Sequence, residues 1–113
     1  MRAELSRVLE VQTERIRTMP LSRLDRPHDS AAGTLARIPI TGLSRAEVVR
    51  RAAQVLADLT ADVEGRRHRP LPPLALHGLG DQLAVVGHDL LDHGHQAAWA
   101  AGRDALVELR RAL

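Results

Sequence analysis

Four side chains that can bind a metal ion recur at whole helical turns in the second half of the chain. Their offsets of four, seven and four residues place them on one stripe of a continuous helix: His77, Asp81, His88 and Asp92. Imidazole and carboxylate groups bind zinc and similar divalent ions. The spacing therefore permits a divalent-metal site in a helical bundle, completed by a facing helix or a second subunit.

The same spacing also fits an ordinary network of exposed His–Asp pairs, which stabilises a helix by only a few tenths of a kcal/mol. The chain has no His-Glu-x-x-His motif and no Glu-x-x-His pair, which are the signatures of known helical metal sites. The pairing network is therefore the favoured interpretation, and no cofactor is predicted apart from this alternative of a divalent metal.

Arginine is absent around these residues. The chain has 16 basic residues, all of them arginine, yet residues 70–102 contain none and hold four of the six histidines. Burial, a partner surface and a metal site each explain such an exclusion. A charge asymmetry accompanies it, because the first half of the chain is mildly basic and the second half mildly acidic.

The densest basic run supplies candidate phosphate contacts: Arg66, Arg67 and Arg69. Arginines at such positions would give salt-sensitive binding to nucleic acid. However, no aromatic side chain lies near them to stack on bases. A solvated linker is the alternative, and nucleic acid is not expected as the main partner.

Periodicity predicts four main helices, at about residues 2–18, 44–64, 74–93 or 81–93, and 96–113. Ser44 and Glu47 form a capping-box pattern that starts the second helix, and Gly65 is suited to end it. The start of the third helix is open. Either Pro73 lies in its first turn, or residues 78–80 form a loop and Asp81 is the cap.

The segment 20–43 is rich in Pro and Gly and lies between the first two main helices. Its apolar residues favour an irregular strap packed across the helices through Leu35, Ile38 and Ile40. Asp29 or Ser30 would cap a short helix through residue 37, and residues 38–41 would be extended because of Pro39. Residues 66–73, which read RRHRPLPP, predict an extended basic linker.

Two sets of small residues repeat every seven positions, and they are candidates for a helix seam or an interface: Gly80, Gly87 and Gly94, and Ala98, Ala105 and Ala112. A glycine inside a helix costs about 1 kcal/mol relative to alanine, so close backbone approach should compensate it. The two stripes are predicted to face each other in an antiparallel hairpin turning near Gly94, or to meet their copies in a dimer. Trp99 is predicted to be a core anchor beneath the strap.

Composition limits the remaining possibilities. The chain has no cysteine, so disulfides and thiolate metal sites are excluded, and it has no Phe or Tyr. A core this poor in aromatic residues is marginal at 113 residues, which predicts a homodimer. No phosphate-binding loop, nucleophile motif or membrane segment is present.

These observations predict a single all-α domain over residues 1–113, a bundle of about four helices with the irregular strap between helices 1 and 2. The predicted function is a small cytoplasmic interaction or regulatory module, homo-oligomeric, with a protein partner as a further possibility and without a catalytic signature. A metal-binding bundle and an arginine-mediated nucleic-acid binder are the alternatives, in that order.

Overall fold

The computed structural model describes residues 1–113, and most of them are helical. The helices are α1 (Arg2–Thr18), α2 (Leu21–Leu24), α3 (Arg45–Val63), α4 (Leu79–His93) and α5 (Gln96–Ala112), and a 3-10 turn (Leu76–Gly78) precedes α4. A two-stranded sheet contains β1 (Thr34–Leu35) and β2 (Ile38–Pro39). None of the helices combines the length and the apolar character needed to cross a lipid bilayer.

The four long helices form a bundle in which sequence neighbours are not always spatial neighbours. Helices α1 and α3 each pack along both α4 and α5, so α1 lies diagonally opposite α3 and α4 lies diagonally opposite α5. A single hydrophobic cluster joins all four helices, and it consists of Leu, Val, Ile, Ala and Met side chains. Aliphatic residues alone can fill this interior because the helices approach closely at alanine and glycine positions.

Helix α3 has the start and the end that its sequence predicts. The Ser44 hydroxyl accepts the backbone N–H of Glu47 at 3.1 Å, and the Glu47 carboxylate accepts the Ser44 N–H at 3.5 Å. At the other end, Gly65 has φ +69°. The N–H groups of Gly65 and Arg66 donate to the carbonyls of Asp62 (3.2 Å) and Ala61 (2.8 Å), a Schellman motif. Both signals act within a few residues, which is why the sequence predicts them.

The segment between α1 and α3 packs against the bundle, as Leu35 and Ile40 are buried at 0% and 1% exposure. The predicted short helix from Asp29 or Ser30 to residue 37 is wrong. The segment instead contains α2 and a tight hairpin whose register pairs Leu35 with Ile38. The positive φ values of Ala36 (49°) and Arg37 (67°) form its two-residue turn, a conformation that a helix does not allow.

Helix α4 begins between the two predicted starts. Leu76–Gly78 form the 3-10 turn and the helix runs from Leu79, so neither Pro73 nor an Asp81 cap starts it. Gly80 lies in the first turn of α4. Glycine suits this position because a side chain there would collide with α1. An added Cβ there would be 2.7 Å from Cγ of Arg17.

Candidate functional site

The residues of the predicted metal stripe lie on the exterior of the molecule. His77 is in the 3-10 turn, and Asp81, His88 and Asp92 are on α4, and all four side chains are exposed. No group of three or more His, Asp or Glu side chains comes close enough to hold a metal ion. The stripe therefore does not converge, and the metal site stays a prediction that this geometry does not support.

Arginines of α1 bind both aspartates of the stripe. The guanidinium of Arg17 contacts Asp81 at 2.9 Å. That of Arg2 lies 3.7 Å from Asp92 and donates to the Leu91 carbonyl at 3.0 Å. Arginines of α1 thus pair with aspartates of α4. The basic first half of the chain and its acidic second half therefore contact each other within one molecule.

The two small-residue stripes do not face each other, because α4 and α5 are diagonal in the bundle. Gly80 and Gly87 approach α1 instead, and an added Cβ at Gly87 would be 2.5 Å from the Leu9 methyl carbons. Only Gly94 meets α5, where an added Cβ would be 2.8 Å from Nε1 of Trp99. The alanines of the second stripe are buried in the same chain: Ala98, Ala105 and Ala112. These small residues thus pack inside a single chain, and the prediction that the two stripes face each other is wrong.

Trp99 is half-buried at the junction of α4 and α5, where its Nε1 donates to the Leu90 carbonyl at 2.9 Å. The hairpin contacts the opposite end of α5, since the Glu108 carboxylate accepts the Ala36 N–H at 3.2 Å. Trp99 therefore packs against the core, as predicted. The prediction that it lies beneath the strap is wrong.

The three candidate phosphate contacts line one groove of about 210 Å³ between α3, α4 and the linker. Asp58 and Asp89 line the same groove, so its charge is mixed. Arg66 is paired with Glu64 at 2.6 Å, whereas Arg67 and Arg69 form no side-chain hydrogen bond or ion pair. Carboxylates beside the arginines weaken the attraction of this groove for a phosphate backbone.

His68 in the linker forms a small cluster with two aspartates of α3, which was not predicted from the sequence. Its Nε2 lies 2.6 Å from Asp62 and its Nδ1 lies 3.6 Å from Asp58. The hydrogen bond to Asp62, together with the charges of both carboxylates, raises the pKa of His68 above its ordinary value. The spacing from Asp62 to His68 crosses a helix end, where helical periodicity carries no information.

Arg45 is the one buried arginine, and it joins the strap to the bundle. Its side chain is 8% exposed and contacts the Asp29 carboxylate at 2.7 Å. It also donates to three carbonyls: Pro27 at 2.9 Å, Leu113 at 3.4 Å and Arg23 at 3.5 Å. The open cavity beside it, about 440 Å³, is lined by Arg23, Arg26 and Asp29 as well. Since the guanidinium of Arg45 already has internal partners, its role is structural.

The exterior seam between α3 and α5 is a concave surface with a partly apolar lining, and we name it the α3–α5 furrow. Its first part, about 260 Å³, is lined by Leu59, Val63, Ala97 and Ala98, with Asp62 and His95 at the rim. We include in it a second concavity, about 540 Å³, one turn further along α5, which is lined by the hairpin and α5 without α3: Thr34, Ala36, Arg37, Ala101, Asp104, Ala105 and Glu108. Small side chains form the floor along α5, and charged side chains lie at both ends.

The α3–α5 furrow and the cavity beside Arg45 are open to solvent. Comparison with known proteins gives no further guide: no protein-family model matches the chain, and no curated protein or solved structure is significantly similar to it.

Proposed function

We propose that this protein is an interaction module that self-associates through the α3–α5 furrow. One observation carries the proposal: a furrow with an alanine floor runs along α5 beside the half-buried side chains of Leu59 and Val63. Alanines allow a second backbone to come close, and the larger side chains at the edge gain burial when it does. A second copy of the same furrow is the occupant.

The charges at the two ends of the furrow favour a two-fold arrangement. Asp62, which also contacts His68, lies at one end and Arg37 lies at the other. At the Arg37 end, Asp104 is already bonded to Arg103, and Glu108 to the Ala36 N–H. Arg37 itself has no side-chain hydrogen bond or ion pair. In an antiparallel pair related by a two-fold axis, Arg37 of one copy meets Asp62 of the other, twice.

The composition of the core gives a second reason for association. Without Phe or Tyr, the interior is filled by aliphatic residues alone, and a small core of this kind gains stability from burial between subunits. Ala97 and Ala101 are exposed in the single chain. Both would be covered in the pair.

The mass of the protein in solution tests this proposal, measured by light scattering coupled to size-exclusion chromatography. The native chain should run as a dimer at micromolar concentration. Ala101→Glu places a carboxylate on the floor of the furrow and should give a monomer with an unchanged helical circular dichroism spectrum. Because Ala101 is exposed, folding of the single chain tolerates the change.

Ala3→Glu is the matched control, since Ala3 is also an exposed helical alanine but lies on α1, outside the furrow. This variant should remain a dimer. A native chain that is monomeric at all concentrations, or an Ala101→Glu variant that stays dimeric, would contradict the proposal.

A further inference from the structure

The linker after α3 has the spacing of a polyproline ligand. Residues 67–73 read Arg-His-Arg-Pro-Leu-Pro-Pro, so Arg67, Pro70 and Pro73 are three residues apart. The rings of Pro70, Pro72 and Pro73 fix φ near −65°, and each proline also biases the preceding residue toward the extended region. These constraints favour polyproline II, which has three residues per turn and therefore three edges.

In this conformation one edge packs on the protein, and the side chains of the other two edges are exposed, with Arg67, Arg69 and Pro70 also bordering the groove against α3 and α4. On the first edge, His68 contacts Asp62, Leu71 packs against the hydrophobic core, and Leu74 follows one turn later. On the other two edges, every side chain is exposed: Arg67, Pro70 and Pro73, and Arg69 and Pro72. Leu71 thus anchors the segment, while the rings of Pro70, Pro72 and Pro73 stay exposed.

Side chains of α3 and α4 hold the backbone of the segment in this orientation. The Gln54 amide donates to the Arg69 carbonyl at 2.9 Å and accepts the Leu71 N–H at 2.9 Å. Gln82 donates to the Pro72 carbonyl at 2.9 Å, and Arg50 donates to the Leu74 carbonyl at 2.9 Å. A ligand fixed in its bound conformation loses less entropy on binding, so these contacts favour recognition.

Arg67 is available to a partner because it forms no hydrogen bond or ion pair with its side chain, in contrast to Arg66, which is paired with Glu64. An unpaired guanidinium one turn before the first proline of a Pro-x-x-Pro pair matches a carboxylate at the end of an aromatic groove. Guanidinium–carboxylate contacts are strong and directional.

We propose that residues 67–73 are a polyproline II ligand for a protein domain with an aromatic-lined groove and an acidic pocket. Pro70 and Pro73 occupy the groove, and Arg67 pairs with the carboxylate. This surface lies over α3 and α4, on the opposite side of α3 from the α3–α5 furrow. Asp62, which His68 contacts, lies at the rim of that furrow, so the two proposals are tested at different residues.

The test is a titration of the ¹⁵N-labelled full chain with two purified probes, an SH3 domain that selects Arg-x-x-Pro-x-x-Pro peptides and a WW domain. At least one probe should shift the amide signals of residues 67–69, 71 and 74 and leave those of α1 and α5 unchanged. Pro70→Ala combined with Pro73→Ala should weaken binding about tenfold or more, and Arg67→Glu should do the same.

Matched controls lie outside the segment: Pro20→Ala, an exposed proline, and Arg51→Glu, an exposed arginine of α3. Both should bind the probe as the native chain does. Absence of shifts with both probes at millimolar concentration would overturn the proposal, as would a double proline variant that binds normally. Shifts of the same signals by a single-stranded oligonucleotide and by neither domain would overturn it in favour of nucleic acid.

Discussion

Gln12 is the polar residue in the bundle whose environment fits it least. It lies on the buried face of α1 between Leu9 and Ile16, and its side chain is 1% exposed. Its amide oxygen accepts no hydrogen bond. A buried acceptor without a partner loses its hydration and gains nothing in exchange, which costs about 1–3 kcal/mol.

Gln12→Leu should therefore stabilise the protein. Leucine keeps a similar volume and removes the unsatisfied oxygen, so the free energy of unfolding should rise by about 1 kcal/mol or more. Urea denaturation measures the change. Gln96→Leu on the exposed start of α5 is the control and should leave stability within about 0.5 kcal/mol of the native value. A destabilised Gln12→Leu variant would mean that the amide has a partner such as a buried water.

The pKa of His68 provides a second test of a single side-chain contact. Its hydrogen bond to Asp62 raises this pKa in the folded protein above the unfolded value of about 6.5. Because the folded pKa is the higher one, the contact stabilises the fold fully below the unfolded pKa and is lost as pH rises through the folded pKa. Asp62→Asn should lower the His68 titration midpoint, measured from its ring signals by NMR.

Asp81→Asn is the control for this titration, since Asp81 pairs with Arg17 on another face of the bundle. It should leave the His68 midpoint unchanged. Equal midpoints in the native chain and in Asp62→Asn would show that the ring titrates independently of that carboxylate.

Among the elements, the strap depends most on a single side chain. Arg45 lies in the first turn of α3 and fixes carbonyls of Arg23 and Pro27 together with the Asp29 carboxylate. Its removal leaves these acceptors without their protein donor beside an open cavity. Asp29 is 65% exposed, so water can solvate its charge, and the loss falls below that of a fully buried ion pair.

Arg45→Ala should lower the free energy of unfolding by about 2–3 kcal/mol, measured by urea denaturation. Arg51→Ala on the exposed face of the same helix is the control, with an expected change within about 0.5 kcal/mol. Equal effects of the two substitutions would mean that Arg45 does not hold the strap.

Elements with local signals could be predicted from the sequence, whereas others could not. Ser44, Glu47 and Gly65 determine the ends of α3 through backbone bonds within a few residues, and both ends are confirmed. The hairpin was missed because its turn residues are Ala36 and Arg37, where such turns normally have Asn and Gly. Each of these residues adopts a left-handed conformation at a cost of about 1–2 kcal/mol, which the buried neighbours Leu35 and Ile40 offset.

The prediction of a mostly helical chain is confirmed, but the pairing of the four long helices could not be predicted. Periodicity shows which face of a helix is apolar and does not show which helix covers it. The glycines of α4 were assigned to α5 because those helices adjoin in sequence, yet they approach α1. The α3–α5 furrow was missed for the same reason, since it exists only once the order of helices around the bundle is known.

The diagonal placement of α4 and α5 also bears on how the chain reaches its fold. Because these two helices lie at opposite corners of the bundle, the short connection between them does not produce a helical hairpin with extensive contacts. Each must instead pack on α1 and α3, and the contacts of α1 with α4 and α5 join residues more than 60 positions apart, such as Arg17 with Asp81. The high contact order expected from these pairings favours slower folding than in a bundle of sequential hairpins. The N-terminal helix of this chain therefore completes its packing only after the C-terminal half has been made.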